Sequence, residues 1–322
     1  MEEFQNKVYC IDNLKLLCDL PNESVDLVYI DPPFFTQRDH KTIEGVGFDD
    51  KFESITHYIE WMKVRVREIH RILKDSGCLF LHCDVNASHR LRVMLDDVFG
   101  EKNFRNEIIW QRKKAFPSGR PKKLPNCHDT IFYYSKADTP VFNPQFTPHT
   151  KEYLKTFKHD DKDGQGPYSS QTLMSPSYSP TLIFNYKGYP PPVTGWQYTR
   201  ENMEKLDNDS RLIFPKKKNG MIRRKAYLRE LKGTPLRNIW ADIPCITKAS
   251  KEYRGYPTQK KEALLERIIK MGSNEGDIVA DFFCGSGTTP AVAKRLGRKY
   301  IACDSNPDAV KITKERLNEI PE

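Results

Sequence analysis

A tetrapeptide near the start of the chain, Asp31-Pro32-Pro33-Phe34, combines a carboxylate, two prolines and an aromatic ring. Proline lacks a backbone N–H and restricts φ, so the carbonyl groups of this loop point outward from a stiff turn. The Asp31 side chain and the Pro32 carbonyl can accept hydrogen bonds from an exocyclic amine, and Phe34 offers a stacking face for a planar ring. Taken alone, an ordinary proline turn with a core phenylalanine explains the same residues.

A second loop, Asp281-Phe282-Phe283-Cys284-Gly285-Ser286-Gly287-Thr288-Thr289, lies between a strand pattern and a helix pattern. Its glycines allow positive φ and close approach of a ligand, and a helix N-terminus presents unpaired N–H groups to an anion. The next strand pattern ends at Asp304, about 20 residues later, where an acid can hold a ribose diol. We therefore predict a nucleoside-bearing cofactor. No G-x-x-x-x-G-K-[ST] segment is present, which argues against a nucleoside triphosphate, and a plain strand-to-helix turn is the alternative.

Hydrophobic periodicity places both loops at the ends of strands. Residues 25–30 form a continuous apolar run, typical of a buried parallel strand. The alternation that follows predicts an α/β fold, with a three-layer sheet of seven mostly parallel strands, one of them reversed at an edge, and both loops at its C-terminal edge. The other predicted elements are strands 78–83, 277–283 and 300–304, a hairpin of 106–110 with 130–134, and helices 55–73, 87–99, 260–271, 288–297 and 306–317.

The periodicity breaks down between residues 139 and 243, where Pro, Gly, Asp, Lys and aromatic residues dominate. This change predicts an inserted module and divides the chain into residues 1–138, 139–243 and 244–322. The aromatic residues around Trp196 either form the small core of that module or offer contacts to a ligand.

Basic residues are concentrated in two stretches of a chain with a formal net charge of +9. Residues 111–126 hold six Lys or Arg and no acid, and residues 211–232 hold nine with one acid. This clustering favours a nucleic-acid partner, with solvated surface faces as the alternative. The candidates for phosphate contacts are Arg112, Lys113, Lys114, Lys122, Lys123, Lys216, Lys217, Lys218, Arg223, Arg224 and Lys225.

The composition excludes several other classes of protein. With 38% hydrophobic and 30% charged residues, the chain has no apolar run near the roughly 18 residues of a membrane span. Glu2 and Glu3 follow Met1, so no secretory signal is visible and we expect a cytoplasmic protein. The eight cysteines include no C-x2-C pair, and we predict no metal site.

In this order, the two loops resemble the β group of DNA amino-methyltransferases, which use S-adenosylmethionine to methylate an exocyclic nitrogen of adenine or cytosine. The similarity covers nearly the whole chain, and it is closest to modification subunits. The segments that carry it, besides the two loops, are Leu81 to Gly100, Tyr256 to Lys260, and Pro190 to Trp196.

The resemblance implies a Rossmann-like methyltransferase domain with a circularly permuted motif order. Residues 1–138 would be the catalytic half, 139–243 a target-recognition insertion, and 244–322 the cofactor-binding half. Asp304 would hold the ribose, Asp12 the cofactor adenine, and Lys260 the methionine carboxylate. The implied cofactor-binding set is Asp12, Thr258, Gln259, Lys260, Asp281, Phe283, Gly285, Gly287, Thr288 and Asp304. Many members have proline where this chain has Lys261, which leaves that helix start less certain.

The catalytic residues implied are Asp31, Pro32, Pro33 and Phe34, acting on the N6 amine of an adenine rotated out of double-stranded DNA. D-P-P-F is more usual for adenine, and transfer to cytosine N4 is the alternative. A nucleic-acid binder without catalytic activity is a further alternative. The resemblance also leaves open a homodimer and a cognate restriction endonuclease.

Two further pairs of residues have no assigned role. His82 and Asp84 could reach the active face or cap a loop, while His128-Asp129 is predicted as a turn before a strand.

Overall fold

The structure is a computed structural model that describes residues 1–41, 47–112, 124–217 and 219–321. It divides into two compact units, of which the first is Met1–Gln145 with Arg237–Glu322 and the second is Phe146–Leu236. Within the described ranges, no helix has both the length and the apolar character needed to cross a membrane.

The helices and strands follow one another along both units. The strands are β1 (Lys7–Cys10), β2 (Val25–Ile30), β3 (Arg38–Lys41), β4 (Gly47–Asp50), β5 (Leu73–Cys83), β6 (Phe104–Gln111), β7 (His128–Ser135), β8 (Phe146–Thr147), β9 (Tyr168–Thr172), β10 (Leu212–Ile213), β11 (Arg223–Tyr227), β12 (Thr234–Pro235), β13 (Ile239–Trp240), β14 (Ile278–Asp281) and β15 (Lys299–Asp304). The helices are α1 (Asn13–Asp19), α2 (Ile55–Ile72), α3 (Ser88–Phe99), α4 (Lys151–Leu154), α5 (Arg200–Asn208), α6 (Glu262–Gly272), α7 (Thr288–Arg295) and α8 (Pro307–Asn318).

The first unit contains an eight-stranded sheet in the order β1-β15-β14-β2-β5-β7-β6-β13. Neighbours from β1 to β5 pair in parallel, β7 is antiparallel to both β5 and β6, and β13 pairs in parallel with β6. The predicted α/β class and the mostly parallel sheet are confirmed. Two details differ, because β13 adds an eighth strand and the reversed strand β7 lies inside the sheet.

Helices cover both faces of this sheet. Leu79 and Leu81 of β5 pack in the same apolar cluster as Met62 and Val66 of α2. The alternate residues of β5 point the other way, and the backbone of Gly272 in α6 approaches Cys78 and Phe80 so closely that a Cβ there would lie 2.8 Å from the Cys78 sulfur. Because successive strand residues face opposite sides, these contacts define the three predicted layers.

Asp26 is the only charged residue in β2, and its burial is compensated by two partners. Its carboxylate lies 2.8 Å from the Lys74 ammonium and accepts a hydrogen bond of 2.9 Å from the Ile278 N–H. Buried carboxylates are tolerated when they are paired in this way. The hydrogen bond from Ile278 also joins β2 to the start of β14.

The second unit is built from short strands around an aromatic core. Strands β10, β11 and β9 form one antiparallel sheet, and β12 pairs with β8. Trp196 is fully buried in a cluster with Leu173, Tyr186 and Met203. The structure therefore places this tryptophan in the module's own core, which was one of the two sequence interpretations.

Replacing Leu79 with alanine should lower the free energy of unfolding by about 2 to 5 kcal/mol, because it leaves a cavity in the core of the first unit. Leu124→Ala is the matched control, since Leu124 is 88% exposed and its truncation should change the stability by less than about 0.5 kcal/mol. Urea unfolding followed by circular dichroism measures both values. Equal effects of the two substitutions would show that Leu79 is not a core residue.

Candidate active site

A cavity of about 520 Å³ lies at the carboxyl ends of β2, β14 and β15, which are near neighbours in the sheet. Parallel strands bring their carboxyl ends to one edge, which is where α/β proteins bind ligands. Of the residues predicted from the sequence, those that line the cavity are Asp12, Asp31, Pro33, Thr258, Gln259, Lys260, Asp281, Phe283, Gly285, Thr288 and Asp304. Pro32, Phe34 and Gly287 adjoin these residues in sequence without lining it.

The glycine loop takes the conformation that its sequence suggests. Gly285 and Gly287 both have positive φ, at +50° and +70°, and Gly287 is the N-cap of α7. A Cβ on Gly287 would lie 2.5 Å from the Thr313 methyl carbon, and one on Gly285 would lie 3.1 Å from the Tyr256 ring. Glycine is therefore required at 287 for two reasons, backbone conformation and close packing.

Two acids hold this loop, the buried Asp281 and the half-buried Asp304. Asp281 accepts hydrogen bonds from the Thr289 hydroxyl and, at 3.0 Å, from the Phe283 N–H. Asp304 accepts from the N–H groups of Gly285 and Asn306, each at 2.9 Å. Burial raises the pKa of both carboxyl groups, that of Asp281 to about 7, and the hydrogen bonds only partly oppose this effect.

The opposite wall of the cavity comes from α1 and α2. The Asp12 carboxylate caps α1 through the Leu14 N–H at 2.9 Å and lies 3.3 Å from the Arg65 guanidinium. That guanidinium also stacks over the Trp61 ring at 3.8 Å. Asp12 therefore projects from a fixed helix start, with about half of its side chain exposed.

A third segment, residues 252–260, lies between these walls. The Gln259 amide is buried and bonds within the segment, accepting from the Arg254 N–H at 2.8 Å and donating to the Glu252 carbonyl at 2.6 Å. Thr258 has φ of +59°, a conformation uncommon for a residue with a side chain. These contacts turn the chain so that Lys260 reaches across to β2.

The Asp31 loop is held from behind by two side chains. The Tyr58 hydroxyl donates to the Pro33 carbonyl at 2.7 Å. The buried Asp50 carboxylate accepts from the N–H groups of Phe35 and Thr36, each at 2.8 Å. Phe35 has φ of +59°, so Asp50 stabilises a turn that the backbone alone disfavours.

The Asp31 carboxylate has two different oxygens. Its Oδ2 accepts a hydrogen bond from the Lys260 ammonium, and its Oδ1 is buried without a hydrogen-bond partner among the described residues. The resemblance implied that Lys260 faces a methionine carboxylate, whereas here it pairs with Asp31 and stands 5.3 Å from the centre of the Phe34 ring. One oxygen of Asp31 is thus left for a ligand.

A buried histidine, His82, lies behind Asp31 together with Asp129, and the sequence indicated this pair only in part. The fully buried His82 ring lies 2.9 Å from the Tyr29 hydroxyl and 3.3 Å from Asp129, and it packs against Phe34. The expectation that His128-Asp129 forms a turn is wrong, because both residues lie in β7. Every residue of β7 from Asp129 to Ser135 is buried, so the strand has no polar and apolar alternation that could have shown which way Asp129 faces.

Two opposing effects act on the pKa of the Asp129 carboxyl. Burial opposes its ionisation, but His82, Arg112 and Lys260 together hold the pKa of its carboxyl below the usual range. The nearest Arg112 nitrogen lies 3.0 Å from Asp129 without hydrogen-bond alignment. Asp84 instead caps its own loop through the Asn86 N–H at 2.8 Å.

The basic candidates fall into three groups. Lys113, Lys114, Lys122, Lys123 and Lys218 lie outside the described residues. Lys216, Lys217 and Arg223 are exposed. Arg112, Arg224 and Lys225 are already engaged, with Asp129, with Tyr198 and Gln171, and with Asp161 respectively.

A family model described as DNA methylase matches residues 25–315. The chain belongs to this DNA methylase family. The type II methyltransferase M.EcaI of Enterobacter cloacae is 30% identical in an alignment of 306 residues that covers 90% of this chain and 64% of M.EcaI. The chain spans 51% to 64% of the length of M.EcaI and two further curated relatives.

Two solved structures share the fold of this chain. One is a DNA modification methylase from Thermus thermophilus complexed with S-adenosyl-L-methionine, with 17% identity and a TM-score of 0.51, covering 97% of this chain and 93% of that one. The other is the cytosine-N4-specific PvuII DNA methyltransferase, with 18% identity and a TM-score of 0.53, covering 98% and 88%. The family resemblance and the Rossmann-like fold expected from the sequence are confirmed.

Gly287→Ala should lower the free energy of unfolding by about 2 to 4 kcal/mol, from the strained backbone together with the clash against Thr313. Gly276→Ala is the control, because Gly276 has φ of +83° and open space around it, so only the strain of about 1 to 2 kcal/mol applies. Chemical denaturation of both variants gives the difference. A loss at Gly287 no larger than at Gly276 would contradict the close packing.

The raised pKa of Asp281 predicts a stability slope with pH. Between about pH 4 and 7 the folded state holds a proton that the unfolded chain releases, so stability falls as pH rises, by at most about 1.4 kcal/mol per pH unit. Asp281→Asn should reduce this fall, while Asp75→Asn, at a side chain 78% exposed, should not. Urea unfolding at several pH values measures this slope. If the free energy of unfolding of wild type and of Asp281→Asn changed in parallel with pH, the prediction would be refuted.

Proposed function

We propose that this protein is an S-adenosylmethionine-dependent DNA methyltransferase that acts on the exocyclic N6 amine of an adenine. The observation that carries the proposal is the position of Asp31, which lines the same cavity as the glycine loop and whose buried Oδ1 has no hydrogen-bond partner among the described residues. A hydrogen-bond acceptor for an amine and a pocket for a nucleoside cofactor thus meet at one edge of the sheet.

The residues of the cavity suit S-adenosylmethionine. Asp304 and Asp12 offer acceptors for the ribose and the cofactor adenine, and Trp61, Phe283 and Tyr256 provide apolar faces for the purine and the thioether carbons. The start of α7 presents N–H groups that favour a carboxylate. When bound, the cofactor supplies a methyl group on a positively charged sulfur, so the protein itself needs to form no covalent intermediate.

The chemistry of the loop concerns a poor nucleophile, since the amine lone pair is delocalised into the base ring. A hydrogen bond from the amine to Asp31 Oδ1, with the Pro32 carbonyl as a second acceptor, favours a more tetrahedral nitrogen aimed at the methyl group. Positioning of this kind contributes about 7 to 11 kcal/mol in favourable cases. After transfer the amine loses a proton, which Asp31 accepts.

The target base must leave the DNA stack to reach Asp31. Rotation of a base out of a duplex costs a few kcal/mol, which stacking on Phe34 and phosphate contacts offset. Pro33 contributes by holding the ring of Phe34 next to the carboxylate. Among the basic candidates, Lys216 and Lys217 are exposed and suit phosphate contacts. Arg223 is also exposed but already donates to Ser170, and Arg112, Arg224 and Lys225 have protein partners as well.

Adenine is favoured over cytosine by the D-P-P-F sequence of the loop. Transfer to cytosine N4 is the second candidate, because the fold is shared with the cytosine-N4-specific PvuII enzyme. Double-stranded DNA is the proposed partner. A homodimer and a companion endonuclease, which the resemblance left open, belong to the same proposal and can be tested by sedimentation and by co-purification.

Incubation of the purified protein with S-adenosylmethionine and duplex DNA should yield N6-methyladenine, measured by mass spectrometry of the nucleosides. Asp31→Asn should slow the transfer at least about 100-fold, because the amide presents a weaker and partly reversed hydrogen-bonding group to the amine. Asp75→Asn, at an exposed aspartate, should leave the rate unchanged.

The outcomes separate the candidate functions. N4-methylcytosine would replace the adenine proposal by the cytosine one, and transfer to RNA alone would exclude DNA as the substrate. Full activity of Asp31→Asn would remove the role given to that carboxylate. Retained cofactor without transfer to any nucleic acid would favour a binding protein.

A further inference from the structure

A buried row of polar side chains extends from Asp31 away from the cavity. We call Tyr29, Asp31, His82, Asp129 and Arg112 the His82 cluster. His82 Nδ1 lies 2.9 Å from the Tyr29 hydroxyl and 3.7 Å from Asp31 Oδ1, and its Nε2 lies 3.3 Å from Asp129 Oδ2. The His82 ring is fully buried, so its hydrogen bonds are fixed by these neighbours rather than by solvent.

The hydrogen-bond partners determine which nitrogen of His82 carries the proton. Burial, with the nearby Asp31 carboxylate adding to it, raises the pKa of Tyr29 well above its usual value, so its hydroxyl remains a donor. Asp129 is an acceptor because the pKa of its carboxyl is lowered, so Nε2 of His82 carries the proton and donates it toward Asp129. Nδ1 of the neutral ring is then unprotonated and accepts from the Tyr29 hydroxyl.

This arrangement decides which oxygen of Asp31 is free. Lys260 occupies Oδ2, so an incoming amine must use Oδ1. While Nδ1 of His82 only accepts, it offers no hydrogen to Oδ1. A second proton on His82 would have to sit on Nδ1, where it faces both the Tyr29 oxygen and the Asp31 oxygen at 3.7 Å. A small shift of Asp31 would then close Oδ1.

We propose that His82 is a positioning residue that acts through Asp31, keeping Oδ1 open to the target amine while its ring is neutral and closing it when its ring is protonated. This inference rests on the proposed function, since it concerns the amine that Asp31 receives. The charged and titratable groups facing the ring are Tyr29, Asp31 and Asp129, with the cations Arg112 and Lys260 beyond the two carboxylates. Phe34 and Trp110 cover the rest of the ring.

Substitutions of the two partners of His82 should shift the pH dependence of the reaction in opposite directions, and this difference is the test. Removing the negative charge of Asp129 disfavours the imidazolium, so Asp129→Asn should move the acid limb of kcat/KM for DNA to lower pH. Removing the Tyr29 donor disfavours the neutral ring, so Tyr29→Phe should move that limb to higher pH. We expect shifts of about one pH unit each. His82→Gln should remove the part of the limb that these two substitutions move.

The control for His82→Gln is His89→Gln, because His89 is exposed on α3, outside the His82 cluster, and should leave the profile of the wild type unchanged. All rates are measured at saturating S-adenosylmethionine. Titration of Asp281 is common to every variant, so it does not contribute to the differences between profiles. Binding of the cofactor by each variant, measured by calorimetry, shows that the cavity is intact. His82 and Asp129 do not line the cavity, and Tyr29→Phe removes only a hydroxyl from a residue that does.

Nitrogen-15 spectra of histidine-labelled protein test the same inference without activity. The signal lost in His82→Gln should report an unprotonated Nδ1 and a protonated Nε2 near pH 8. A protonated Nδ1 at that pH would overturn the inference, and so would an acid limb unchanged in Asp129→Asn and Tyr29→Phe. If the wild type transfers no methyl group at any pH, the proposed function fails instead, and the nitrogen spectra still decide the state of His82.

Discussion

The largely buried carboxylate of Asp31 needs a partner, and this requirement constrains much of the first unit. A buried charge is costly unless a partner compensates it, and Lys260 provides that partner from a position 229 residues further along the chain. To bring Lys260 there, the segment before α6 must turn sharply, with Gln259 bonding inside it. The contact leaves one oxygen paired and the other available, which is the asymmetry on which the proposed chemistry depends.

The sheet makes this contact between distant residues possible. Strand β2 comes early in the chain and β14 comes late, yet they are neighbours, and Asp26 joins them through the Ile278 N–H. Asn13 likewise donates to the Phe282 carbonyl at 3.0 Å. A parallel sheet requires only that its strands end at one edge, so the order in which the two loops occur along the chain does not alter where they meet.

The sequence predicted the elements of this sheet well, for a definite reason. Strands β2 and β14 and residues 78–83 of β5 are runs buried on both faces, and α2 and α6 carry helical apolar spacing, so each pattern is local. The two residues of β13 are too few to give a pattern. The sequence could pair the reversed strand β7 with its hairpin partner β6, but it could not show that β7 also pairs with β5. Asp50 also escaped prediction, because only the folded turn shows that its carboxylate holds the Phe35 and Thr36 N–H groups.

The sequence by itself determined the α/β class, the two loops and the family, because residue types at short spacing set backbone conformation and local chemistry. Only the tertiary structure decided that Lys260 pairs with Asp31, that Arg112 faces Asp129, and that His82 lies between Tyr29 and Asp129. Those pairings join residues from separate segments of the chain, and no local pattern contains the distance between two side chains. They arise from how the strands align and from the need of each buried polar group for a partner.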